Sequence, residues 1–229
     1  MPDIFSNTND GQVESGNVSG HAAARGASTG TAVDDDNTTV GVKYFKTSGR
    51  GAATVNIRRS FFFFDTSGVT GTVASATLTF VVGGNAGSTD LIPVKSDAFG
   101  GDGGTALANA DFNNVDFSTP YASQTTDHPA SETVTFTLNA TALADIKNND
   151  AFIVALLEFD GDFSDSEPGS DVNRTLQISF AEVGGTGSDP KLSYTLATGY
   201  SHDIMAVAAA SIGKVNSLAT ANVGKISGT

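Results

Sequence analysis

The sequence has no cysteine and no tryptophan, only six prolines, and few basic residues. Without cysteine there is no disulfide framework and no thiolate metal site. That fits a reducing cytoplasm, or a particle assembled in one, better than a small secreted domain held by bridges. Lys and Arg total 12 against 25 Asp and Glu, a formal charge of −13. A chain of that sign repels phosphates, so nucleic acid is not an expected partner. No stretch approaches the length of a membrane-spanning helix, so no membrane is expected either. Met1 to Ser6 has neither a basic start nor an apolar run, so no signal peptide is expected.

What the chain has in quantity is glycine, 26 residues, which points to many turns and short strands. Its length of 229 residues fits one large all-β domain with an extension, or two small domains. The stretch Ile57 to Val82 organises the rest. Phe61, Phe62, Phe63 and Phe64 form an unbroken apolar run, and a strand wet on one face would alternate instead. The run therefore predicts a strand covered on both faces. After a link rich in Gly, Ser and Thr, residues Ala74, Ala76, Leu78, Phe80 and Val82 alternate with Ser75, Thr77 and Thr79. That period of two predicts a sandwich strand.

The segment before residue 40 is polar and should be mostly loop, with short edge strands near Gln12-Val13 and Ala22 to Ala24. Strands are predicted at Val40 to Phe45, at Ala53 to Ile57 and, near an edge because of Pro93, at Leu91 to Val94. Gly83 to Gly87 reads as a turn and Asp111 to Ala130 as loop. Val134, Phe136 and Leu138 alternate with threonines. Asn139 is placed to cap a short helix from Ala140 to Lys147, followed by an apolar strand from Ala151 to Phe159. An acidic loop, Gly161 to Asn173, precedes two last alternating strands around Ile178 and Tyr194. Some ten short strands predict an all-β, antiparallel β-sandwich of jelly-roll type with one short helix, occupying residues 1–198.

Residues 199–229 differ in composition and carry an internal echo: Ala210 to Ser217 recurs as Ala221 to Gly228, eleven residues later. Each copy is too short to bury its own apolar residues. Ile204, Val207, Ile212, Val215, Val223 and Ile226 are the expected docking residues of an extended C-terminal arm on another subunit. A flexible terminus is the other reading.

Candidate chemistry is sparse. His21, His128 and His202 are far apart and in no metal-ligand spacing. The glycine-rich runs lack the Lys-Ser/Thr ending of a phosphate loop. Asp160, Asp162, Ser164 and Asp165 place oxygens at near-alternate positions, as calcium loops do. A bound Ca2+ is one reading and a solvated turn the other, since Asp165 stands where a calcium hand needs glycine. Of Arg58 and Arg59, one is expected to pair with a carboxylate and the other to face solvent. Tyr44 and Tyr121 are the candidate aromatic platforms for a glycan.

The motif Arg59-Ser60 with Phe63-Phe64-Asp65, followed by Val73-x-Ser75-Ala76-Thr77-Leu78, resembles the opening of the DNRLRE-type domain, a carbohydrate-binding-module-like β-sandwich. Ile178-Ser179-Phe180-Ala181-Glu182 and Asp189-Pro190-Lys191-Leu192-Ser193-Tyr194 look like the last two strands of that family, without the arginine of its closing signature. Ala24 to Gly30 and Thr137-Leu138-Asn139-Ala140-Thr141 are similar to domains in structural proteins of marine tailed bacteriophages. The tail motif Ile212-Gly213-Lys214-Val215-Asn216 resembles carboxy-terminal repeats of virion proteins. The resemblance implies a non-enzymatic structural protein of the virion, assembled in the host cytoplasm and decorating capsid or tail. Its partners would be other virion proteins and further copies of itself, a trimer being one expectation. The alternative it implies is a module that binds glycans.

Overall fold

The computed structural model describes residues 1–35, 39–49, 51, 53–181, 186–197, 214–215 and 218–219, with 39–40 and the last two pairs described by backbone alone. Strand accounts for 46 % and helix for 15 %, so the chain is all-β, and its ladders are antiparallel. In order come β1 (Asp3–Phe5), β2 (Gly11–Glu14), β3 (Val18–Ser19), α1 (His21–Arg25), β4 (Ala32–Asp34), β5 (Thr39–Thr47), β6 (Thr54–Asp65) and β7 (Val73–Ala86). Then follow β8 (Leu91–Ser96), β9 (Val115–Pro120), β10 (Thr133–Thr137), α2 (Ala140–Asn148), β11 (Ala151–Glu158), β12 (Val172–Ser179) and β13 (Lys191–Leu196). Lys214–Val215 and Leu218–Ala219 pair as a separate two-stranded antiparallel ladder.

The strands form two layers. The smaller runs β1-β13-β7-β10. The larger is built on β6, which pairs with β2 and β11 on opposite edges at Ser60 and Phe61. At Thr54 and Val55 it pairs with β3 and β5, again on opposite edges. From β11 the layer continues through β8 to β9, and from β5 through β12 to the far end of β7. β7 thus belongs to both layers: residues up to Val81 pair with β13 and β10, and Val82 to Ala86 pair with β12.

The phenylalanine run sits at the centre of this arrangement, and both its faces are covered as the lack of alternation predicted. Phe62 and Phe64 point between the layers with Phe80, Phe136, Phe152 and Phe180. Phe62 lies 4.7 Å from Phe80 and 5.0 Å from Phe180, ring centre to ring centre. Phe61 and Phe63 point the other way, into a second apolar cluster with Ile57, Tyr44, Phe99 and Phe112. β6 and β7, neighbours in sequence, face one another across the core through these rings; no ladder joins them along the Phe run.

Several local expectations are corrected. Thr54 to Asp65 is one continuous strand, because the apolar parity of Val55, Ile57, Phe61 and Phe63 never breaks. The segment before residue 40 is more ordered than its polarity suggested, with β1 to β4 and α1 in it. Ala22 to Ala24 lie in α1, a helix of one turn, so two α-helices, not one, occur among the described residues. Gly83 and Gly84 continue β7 past a register shift opposite Gln177 and Ile178, where residues without a side chain absorb the irregularity. The turn comes later, at Gly87, whose φ of +76° suits glycine. β9 falls within the stretch whose sequence predicts loop, because its apolar residues are too few to show a period. Pro93 is not at an edge, since β8 pairs with both β11 and β9. Its carbonyl accepts from Tyr121 N at 2.8 Å on the irregular β9 side, so the missing N–H falls there and leaves the β11 ladder intact.

α2 and β10 are as predicted. The Asn139 side chain accepts from Ala142 N at 3.1 Å, and Val134, Phe136 and Leu138 are buried between exposed threonines. The eleven-residue repeat and most of the arm lie outside the described residues.

Two separate cores on one strand make a direct prediction. Phe61→Ala and Phe62→Ala should each cost about 3–5 kcal/mol in chemical denaturation. A cost near zero for Phe61→Ala would mean that the outer cluster is not a core.

Candidate functional site

The chemistry-bearing side chains gather on the outer face of β6, under the acidic loop that leaves β11. Strand parity places Arg59 there, between Ile57 and Phe61, and it is fully buried. A buried guanidinium needs a matched anion, and Asp162, also fully buried, supplies it in bidentate form. Arg59 Nε donates to Asp162 Oδ2 at 2.8 Å and Nη2 to Oδ1 at 2.7 Å. Two more donors go to carbonyls, Nη1 to Phe112 O at 2.6 Å and Nη2 to Arg25 O at 3.0 Å. The guanidinium plane lies 4.1 Å from the Phe112 ring centre.

Asp162 is held by a π-helical turn, Phe159–Phe163, whose N-cap is Glu158. Glu158 Oε2 accepts from Gly161 N at 2.6 Å and Asp162 N at 3.1 Å, and Arg174 Nη1 donates to its Oε1 at 3.0 Å. Burial pushes the Glu158 carboxyl up, and these donors oppose the shift. Gly161 is required by packing: a Cβ there would come within 2.4 Å of the Tyr44 ring. Arg25 Nε donates to Asp162 O at 2.6 Å while its guanidinium stacks 4.3 Å from Phe117.

The rest of the loop is tied down from outside. His21 hydrogen-bonds Tyr44 Oη through Nδ1 at 2.7 Å and Asp165 Oδ1 through Nε2 at 3.0 Å. Lys46 Nζ reaches Glu167 at 2.9 Å and also donates to the Pro168 carbonyl. Ser48 N donates to Asp171 Oδ1 at 2.6 Å. Hydrogen bonding by His21, with the Arg25 charge behind it, holds Asp165 below the usual carboxylate range. Lys46 does the same for Glu167 and Ser48 for Asp171. Tyr44-His21-Asp165 has the connectivity of a proton relay. Yet the Tyr44 hydroxyl is buried, and burial next to the Glu167 and Glu158 charges pushes it far up. The arrangement holds the loop to the sheet, with the Tyr44 hydroxyl buried and the Asp165 carboxylate at its exposed end.

The four residues read as a cation loop are engaged differently. Asp162 is on Arg59, Asp165 on His21 and Arg25, and Asp160 lies 3.3 Å from Arg174. Ser164 is exposed and its N–H closes the π-turn on Phe159 O. Among the described residues, no group of three or more His, Asp or Glu is placed to hold a metal ion. The partners come from three other segments, α1, β6 and β12, which spacing within the loop could not reveal. The tyrosines read as glycan platforms are corrected as well. Tyr44 is buried in the outer cluster, and Tyr121 is stacked on Phe152 at 4.9 Å with its hydroxyl on Asp145 at 2.7 Å. Neither offers a ring face to solvent. Both arginines of β6 are paired, since Arg58 meets Glu14 at 3.0 Å. His128 is buried between Thr125 and Glu132. Of the expected docking residues, Ile204, Val207, Ile212, Val223 and Ile226 lie outside the described residues. Val215 is described only as backbone paired with Leu218.

Arg59 meets the expectation that one of the two arginines pairs with a carboxylate; its full burial and the identity of the acid are set by the fold and do not follow from spacing. No protein-family model matches the chain, and no curated protein matches it either.

Asp162→Asn should destabilise the domain by about 3–5 kcal/mol, because it leaves a buried guanidinium without its anion. Replacing both partners, Arg59→Met with Asp162→Leu, should recover part of that loss in the same denaturation assay. Asp165, Glu167 and Asp171 have depressed folded values, so their contribution is complete above the ordinary carboxylate range and is lost as pH falls through the folded values. Amide exchange in 160–171 should therefore accelerate below about pH 4 before the β6 amides do. Uniform exchange across both regions would refute a locally clasped loop.

Proposed function

We propose that the chain is a non-enzymatic structural protein of a tailed-phage virion, a sandwich body that decorates or reinforces capsid or tail and is tethered by its C-terminal arm. One observation carries the reading more than any other. A cluster of ionisable groups on the outer face of β6 is assembled as a brace: Arg59-Asp162 and Arg174-Glu158 are buried or half-buried pairs that pin a long loop over an apolar sheet. Such pairing fixes shape, which is what a particle component needs. The sequence resemblance and the apolar, nearly uncharged tail point the same way. Assembly would proceed by apolar burial and strand addition to neighbouring subunits. Deleting residues 200–229 should abolish incorporation into particles while leaving the body folded. Normal copy number of the truncated protein in purified virions would end the arm hypothesis.

A second reading, a glycan-binding module, has one observation in its favour. Beside the π-turn lies a groove of about 400 Å³ lined by Phe159, Phe163, Gln124, Asn139, Ser123 and Thr137 among others, with no ionisable side chain in its walls. Aromatic rings beside amides and hydroxyls suit a neutral sugar. A larger cleft, about 450 Å³, is lined by Lys95, Asp97, Asp102 and Asp150 and is far more charged. On a glycan array, the glycan reading expects specific binding that Phe163→Leu and Gln124→Ala both weaken. Binding unaffected by either variant would remove the groove from consideration.

A further inference from the structure

We infer that the outer edge of β10 is a self-pairing surface, through which two copies of the chain join their smaller sheets across a two-fold axis. The inference rests on the proposed self-association and names the surface that mediates it. β10 is the last strand of the order β1-β13-β7-β10 and pairs only with β7. Among the described residues, no backbone hydrogen bond reaches Thr133 to Thr137 from the other side.

An open edge is a template for another strand unless something blocks it. Among the described residues the other terminal strands are very short or blocked, β3 having only two residues. β1 has three residues, with Asp3 on Lys191 at 3.6 Å. β4 also has three and carries Asp34. β9 carries Asp116, ends in Pro120 and has a register shift against β8. β10 has none of these guards. Its sequence, Thr-Val-Thr-Phe-Thr, contains no charge and no proline, and its register against β7 is regular over all five residues. The nearest charge, Glu132, is drawn back onto His128 at 2.9 Å.

The partner is a second copy because the strand is nearly palindromic about Thr135. Antiparallel pairing centred there sets Thr135 against its own counterpart, Thr133 against Thr137, and Val134 against Phe136. The exposed threonines stay on one face and the buried residues on the other. Threonine pairs opposite one another are favourable in such ladders. A neutral edge also suits two molecules that each carry a charge of −13. The product is one continuous sheet in which β10 of each copy is interior, an isologous contact that closes on itself.

Sedimentation of the full-length protein over a range of concentrations should show a monomer–dimer equilibrium. Thr135→Lys, which sets two like charges face to face, should raise the dimer dissociation constant about tenfold or more without changing thermal unfolding. Because the chain has no cysteine, Thr135→Cys should yield a disulfide-linked dimer on mild oxidation far faster than the exposed Thr70→Cys control. A wild-type protein that is monomeric throughout, or equal cross-linking of the two cysteine variants, overturns the proposal. So does a dimer unchanged by Thr135→Lys; if removal of residues 200–229 dissolves that dimer, association runs through the arm and only the β10 surface is refuted.

Discussion

A guanidinium with no exposed surface can persist in an apolar layer only if all sides of it are satisfied. Arg59 meets that condition with one carboxylate, two carbonyls and an aromatic face. Those four partners come from α1, the Asn109–Asn113 turn and the loop after β11, three short segments that also bring Ala24, Phe112, Phe159 and Phe163 to the outer cluster. The arginine therefore organises the cover of the outer core. Phe61 and Phe63 would otherwise present their rings to water on that side, and the apolar cluster beneath the cover would lose its lid.

The buried pair also explains the form of the acidic loop. Asp162 must arrive at a fixed height above β6, and a π-helical turn capped by Glu158 delivers it. Glu158 in turn needs Arg174 from β12, so the anchor of the loop is tied to a strand on the far side of the layer. Interlocking ion pairs of this kind contribute less to net stability than to uniqueness of conformation, because each charge tolerates only one set of neighbours.

Much of this was legible in the sequence, for identifiable reasons. The doubled core followed from four consecutive phenylalanines, since no half-wet strand tolerates them. β10 and α2 followed from alternation and from Asn139, signals confined to a few adjacent residues. What escaped were features decided at long range. The acids of 160–165 look like cation ligands when read alone, and only the fold brings Arg25, Arg59, Arg174 and His21 to them. Tyr44 and Tyr121 read as surface aromatics because their partners, His21 and Asp145, lie more than twenty positions away. β9 and the extension of β7 through Gly83 and Gly84 were invisible because pairing, not propensity, makes them strands.

One strand has a mechanical consequence. β7 begins in the smaller layer and ends in the larger one, hydrogen-bonded in both. Lateral slip of one layer over the other would have to tear backbone bonds within a single continuous segment as well as unseat rings. The domain therefore resists shear along that direction as a welded corner does, and a load applied to one layer is passed to the other through the main chain.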